Sequence, residues 1–246
     1  MDATTIALAF TAYFIAAFVK GTTGLGFSST CLPILVLGLG LKEALPLVLL
    51  PSVSSNLFVM ATSGHFREMT IRFWPMYLAS VPGIAAGLYL LVVIDARVAT
   101  AALGLVLIAY CLFALGRPDW RLRPALERPL AAPVGFLTAV VNGLTGSQVM
   151  PVLPYLLALP LTPAQFIQTL NISFTFASAI MAIGLSKLGL LTGERAFVSV
   201  LGLLPVLAGV ALGTRVRRLL PPEQFRKTVL GVLLLLAVLL LARLGF

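Results

Sequence analysis

The chain is 246 residues long, with 60% hydrophobic and only 10% charged residues and a mean hydropathy of +1.07. Too few polar residues remain to cover a water-exposed surface, which excludes a soluble globular domain and points to an all-α, polytopic membrane protein. The formal charge of +9 would suit nucleic acid in a soluble protein, but here the basic residues stand beside apolar runs and report membrane orientation. Nucleic acid is therefore not an expected partner, and membrane lipid is.

The runs lack the period-two alternation of a barrel, so helices are the expected spanning form. The first run, 3–19, opens on Asp2 instead of a basic segment and is followed by Lys20 instead of a small-residue cleavage site, so it reads as a helix of the mature chain. The next element, 27–39, is too short to cross: at about 1.5 Å per residue it reaches about 20 Å, against a hydrocarbon core of about 30 Å. Elements over 43–61, 71–93 and 97–115 complete a first set. An arginine-rich segment follows, and then a second set over 131–141, 149–159, 164–185, 196–213 and 225–244, in which 149–159 is again short. The predicted organisation is a first transmembrane repeat, 1–116, a basic cytoplasmic linker, 117–130, and a second repeat, 131–246.

Internal similarity supports that division. Pro33-Ile-Leu recurs as Pro154-Tyr-Leu, Gly83-Ile-Ala-Ala-Gly87 as Gly209-Val-Ala-Leu-Gly213, and Leu103-Gly-Leu-Val-Leu as Leu230-Gly-Val-Leu-Leu, in the same order and at offsets that grow slightly, as short loop insertions would make them. Five elements per repeat invert the second repeat relative to the first. With the N-terminus outside, the inner face then holds Lys20, Arg67, Arg72 and both basic clusters, 117–128 and 215–227, while the outer face keeps Lys42, Arg97, Lys187, Arg195 and Arg243. That is the bias expected of a cytoplasmic side.

Two matching segments interrupt the apolar pattern. The first reads Lys20-Gly-Thr-Thr-Gly-Leu-Gly-Phe-Ser-Ser-Thr-Cys-Leu-Pro33, the second Asn142-Gly-Leu-Thr-Gly-Ser-Gln-Val-Met-Pro-Val-Leu-Pro154. Glycines that break a helix free backbone N–H groups, and a half-helix starting there presents those groups and its dipole to an anion. Broken helices meeting between two repeats are a recurrent way to build a central solute site. The candidate site residues are Lys20, Gly21, Thr22, Thr23, Gly24, Gly26, Ser28 and Ser29 from the first motif and Asn142, Gly143, Thr145, Gly146, Ser147 and Gln148 from the second. Gln168 and Asn171 join them from the helix after the second motif, with Thr169 and Ser173, and Ser52, Ser54, Ser55 and Asn56 stand on the matching helix of the first half. Two bland readings compete: close Gly and Ser spacing also serves helix packing, and a lysine at a helix end also snorkels to the interface.

Enzyme chemistry finds little support. His65 is the sole histidine and sits in a loop with Arg67 and Glu68, Cys31 and Cys111 fall inside apolar runs as core residues, and Asp95, Asp119, Glu127, Glu194 and Glu223 fall in loops. The usual metal sites are excluded and a serine triad is disfavoured, Gly24-Leu-Gly-Phe-Ser28 is not a nucleophile elbow, and a Gly-Lys-Ser/Thr phosphate loop is missing, so no cofactor and no ATP drive are expected. A carrier of this build is a secondary transporter or a channel. Neutral donors with one lysine suit a small anion better than a cation, which would favour carboxylates in the spans.

The run from Lys20 to Ser28, the Leu32-Pro-Ile-Leu that follows it, and the related Gly and Pro segment at 142–154 resemble the TauE/SafE family of sulfite exporters and organosulfur anion permeases. The length and two-half layout are similar too. The resemblance implies a multi-pass carrier of the bacterial inner membrane for sulfite, sulfonates or thiosulfate, an exporter working by alternating access between repeats, with a homodimer as the candidate assembly. Ser147-Gln148 stands where the family's pattern leads one to look for further glycines, which leaves the substrate open among these anions. Uptake of thiosulfate or another small anion is the alternative, ahead of a membrane-embedded enzyme or an accessory subunit.

Overall fold

The computed structural model describes residues 1–23, 26–116, 121–216 and 222–244. Gly24, Arg117, Asp119, Arg217 and Arg218 lie outside the described residues. Among the described residues, the chain forms α1 (Ala3–Thr23), α2 (Phe27–Leu39), α3 (Leu41–Ser63), α4 (Phe66–Val93), α5 (Ala96–Gly116), α6 (Pro124–Thr145), α7 (Val152–Leu157), α8 (Pro163–Lys187), α9 (Gly193–Leu201), α10 (Leu203–Val216) and α11 (Pro222–Ala242).

Three elements depart from the sequence expectation, each for a reason in the chain. The sixth helix begins inside the expected linker, because Pro124 at its first position needs no N–H partner and fits the helical φ. The seventh is six residues long instead of the eleven of 149–159. Pro151 and Pro154 lack amide hydrogens, and the residue before a proline is pushed toward extended backbone, so no helix starts earlier. The run 196–213 is broken into α9 and α10 at Gly202, where Pro205 cannot donate to the Leu201 carbonyl and the Tyr13 ring lies against the glycine.

Two extensive helix seams organise the bundle, α4 on α6 and α1 on α10. In the first, Gly83 and Gly87 lie against the Phe136 and Val140 carbonyls, Ala139 and Gly143. In the second, Gly209 and Gly213 lie against the Phe14 and Phe18 carbonyls, Ala17 and Gly21. Glycine allows backbones to touch in this way, the usual device of helices in lipid. The two seams are built alike, residue for residue, with the helix roles exchanged between the halves.

Contacts between loops define two ends. At one, Glu43 pairs with Arg195, Glu194 with the N-terminus, and Arg243 donates to the Leu37 carbonyl. At the other, Arg72 pairs with Glu127 at 2.6 Å and Gln165 donates to Glu68. The helix after Gly26 starts inside the protein, and α6 stops inside it at Gly146, whose φ of 76° is left-handed.

A buried proline in α3 shows how the core is satisfied. Pro51 leaves the Leu47 carbonyl without its helical donor, and Tyr13 Oη (2.7 Å) and Ser199 Oγ (3.2 Å) donate to it from α1 and α9.

Candidate functional site

Lys20 is 5% exposed and lies in the last turn of α1. Its Nζ donates to Asn56 Oδ1 at 2.6 Å and Ser55 Oγ at 3.0 Å on α3, and to Asn171 Oδ1 at 3.5 Å on α8. The ammonium is thus held inside the bundle and does not reach the interface. It borders a cavity of about 30 Å³ whose polar lining is Lys20, Ser28, Ser29, Ser52, Asn56, Gln148 and Asn171, with Gly26, Phe27, Tyr110, Val149, Leu153, Leu170 and Phe174 completing the wall. That is room for about two waters. The walls must part to admit an oxyanion.

Each wall has a structural reason to be polar. Gly26 adopts φ 92°, which starts α2 without a side-chain cap, so the first-turn N–H groups have no intrahelical partner and face the cavity with Ser28 and Ser29. Ser28 Oγ shares a hydrogen bond of 2.9 Å with Ser52 Oγ. Asn56 Nδ2 is buried with no partner among the described residues, a donor free for a guest. From the other half comes Gln148, whose Nε2 donates to Ser178 Oγ at 2.9 Å while its Oε1 has no such partner.

A smaller cavity of about 10 Å³ adjoins the first through Ser28, Ser52 and Gln148, and Asn142, Gly146 and Ser178 line it among leucines. Neither atom of the Asn142 amide has a partner among the described residues.

Among the described residues, the carboxylates stay at the ends of the bundle. Glu43, Glu127 and Glu194 are engaged by Arg195, Arg72 and the N-terminus, and Glu68 by His65. None lines the cavity. A buried cation facing only neutral oxygens is destabilised by several kcal/mol of lost hydration, and an anion about 4 Å away returns roughly 4 kcal/mol at an effective dielectric of about 20.

Of the sequence candidates, the structure brings Lys20, Gly26, Ser28, Ser29, Ser52, Asn56, Gln148 and Asn171 to the first cavity, and Asn142 and Gly146 to the second. The rest serve elsewhere. Gly21 and Gly143 are seam glycines, and Thr22, Thr23 and Thr145 donate back to carbonyls of their own helices. Ser147 is buried with its hydroxyl unpartnered among the described residues. In the amide orientation its surroundings require, Gln168 donates to the Met60 and Gly64 carbonyls, closing the end of α3. The second half contributes the Gln148 and Asn171 side chains, and Val149, just before α7, and Leu153, in its first turn, stand beside them in the wall. Tyr110, Phe174 and Ser178 carried no sequence signal, since an aromatic or a single serine in an apolar helix reads as lipid-facing or packing.

Among the described residues, six helical segments, α9 and α10 together making one, are long and apolar enough to cross a membrane, which defines a multi-pass helical membrane protein. Its residues 9–240 match the family described as Sulfite exporter TauE/SafE, and the chain belongs to that family of sulfite and organosulfur anion transporters. No curated protein and no solved structure matches the chain significantly.

Proposed function

We propose that this protein is a secondary transporter that holds one small sulfur oxyanion, sulfite or a sulfonate, against Lys20 and carries it out of a bacterial cell across the inner membrane. The observation that carries the reading is a buried ammonium with three neutral partners and no carboxylate in its cavity. The anion is its missing counter-ion. The α2 N-terminus, Ser28, Ser29 and Asn56 Nδ2 supply neutral donors around it, and Gln148 closes the cavity from the opposite half.

Alternating access follows from the two seams. Matching glycine contacts of α1 on α10 and α6 on α4 support an inverted pair of halves, and the cavity takes residues from both. Rocking one half against the other opens it to one side at a time. The family description supports export as the working direction.

The test is [³⁵S]sulfite and labelled sulfonate flux in proteoliposomes of wild type and Lys20→Met. Flux that falls to the protein-free rate in the variant is expected. Equal flux in both, or none in the wild type, overturns the proposal.

A further inference from the structure

We infer that the cavity selects its guest by charge number, accepting a singly charged oxyanion such as bisulfite or an organosulfonate and rejecting the doubly charged ion of the same shape. This rests on the cavity being the anion site proposed above.

Hydrogen-bond accounting fixes the charge of the site. Ser55 Oγ commits its hydrogen to the Ser52 carbonyl at 2.7 Å, and Asn171 Nδ2 donates to the Ile167 carbonyl at 2.8 Å, so both offer Lys20 only acceptor oxygens. Asn56 offers its Oδ1. Three acceptors call for three N–H donors, which the ammonium has and the neutral amine lacks. The site is therefore matched to one positive charge and to no more than one.

Nothing else there adds a second. The remaining polar lining consists of serines and side-chain amides, and the apolar part is Phe27, Val149, Leu153, Leu170 and Phe174. The N-terminus of α2 contributes a partial positive charge, but the C-terminal ends of α1, which carries Lys20, and of α6, whose Gly146 lines the adjoining cavity, contribute partial negative ones beside it. Other titratable or charged groups on the surrounding elements are Tyr13, Cys31, Tyr110, Cys111, Tyr155, Arg215 and Lys227, with Lys42, Glu43, Arg97, Glu127, Arg128 and Lys187 toward the ends of α3, α5, α6 and α8. Only Tyr110 of these lines the cavity. A monoanion leaves the closed site neutral, whereas a dianion leaves a net negative charge in an apolar wall, the arrangement proteins avoid.

Perchlorate and sulfate provide the clean comparison, being tetrahedral, isoelectronic and one charge apart. In proteoliposomes, perchlorate is expected to compete with labelled sulfonate at least tenfold more effectively than sulfate does. Sulfite flux should fall as pH converts bisulfite to sulfite, while sulfonate flux, whose charge is fixed, stays level. Lys20→Arg should keep the preference, and Gln148→Lys, which adds a second charge to the wall, should raise sulfate competition about tenfold.

Sulfate competing as well as perchlorate, or sulfite flux rising with the dianion while sulfonate still moves, would overturn the inference and leave the transporter reading standing. Sulfite and sulfonate falling together with pH would also overturn it, placing the titration in the protein. Absence of flux for every anion would overturn both. The wild-type comparison stands whether or not Gln148→Lys folds.

Discussion

Replacing Gly21 by alanine tests the seam that places Lys20. A Cβ there would sit 2.5 Å from the Val210 carbonyl oxygen and 3.1 Å from Gly213 Cα and Thr214 N, all backbone atoms that no side-chain rotation can move. Ordinary contact begins near 3.4 Å, so α1 and α10 must separate by most of an ångström along their closest line. Overpacking of this kind costs about 1–3 kcal/mol, and the better helix propensity of alanine returns up to about 1. A net loss of about 1 kcal/mol lowers Tm in detergent by about 2–4 °C for a chain of this size. Gly231→Ala on α11, where nothing lies within 4 Å, isolates the propensity effect and should raise Tm by about 2–4 °C. Because Lys20 precedes Gly21, the first variant should also lose flux. Equal Tm values for wild type and Gly21→Ala would refute the close-packed seam, and a fall in Gly231→Ala would refute the control.

Tyr13→Phe should destabilise by about 0.5–1.5 kcal/mol, since it removes one of two donors to the Leu47 carbonyl, and the loss should shrink in a Pro51→Ala background that restores the helical donor; a double-mutant melt measures the coupling. Gln148→Leu breaks the bond to Ser178 and removes the polar group shared by both cavities, so flux should fall at least about tenfold, read in the proteoliposome assay, with Tm nearly kept. Glu127→Gln weakens the half-exposed pair with Arg72 by about 1 kcal/mol, and the difference should narrow in high salt, as melts at two ionic strengths would record.

Much of the architecture could be read from local rules. The short α2 falls on 27–39 as expected, because Gly26 and Gly40 bound an apolar stretch too short to cross. Lys20 stood among the candidates, but a lysine at a helix end also fits the interface, and only its bonds to Ser55, Asn56 and Asn171 place it inside the bundle. What escaped the sequence is the division of labour among polar residues. Gln168 looked like lining but answers carbonyls that α3 leaves open at its end, a tertiary demand that no local pattern announces. Gly143 looked like part of a flexible break but lies within a continuous α6 and serves packing, as its resemblance to Gly83 and Gly87 could have indicated. Ser52 and Asn56, polar positions in an apolar run, were visible as candidates. Tyr110 and Phe174 were not, because rings that line a cavity and rings that face lipid have the same neighbours in sequence.

Under the proposed duplication the seams also set the register between halves. Gly21 meets Gly213 as Gly143 meets Gly87, so the residue before each glycine is a counterpart: Lys20 in the first half and Asn142 in the second. Each borders a cavity, yet only the first is charged, and the second is smaller and lined mainly by leucine, valine and methionine apart from its shared polar rim. Two lysines in adjoining cavities would repel across a low-dielectric gap, and two bound anions would do the same. An asymmetric pair avoids both penalties. In the proposed transport cycle the frame is used twice to permit rocking, and the charge is placed once, so that a single anion would neutralise the moving interface in each crossing.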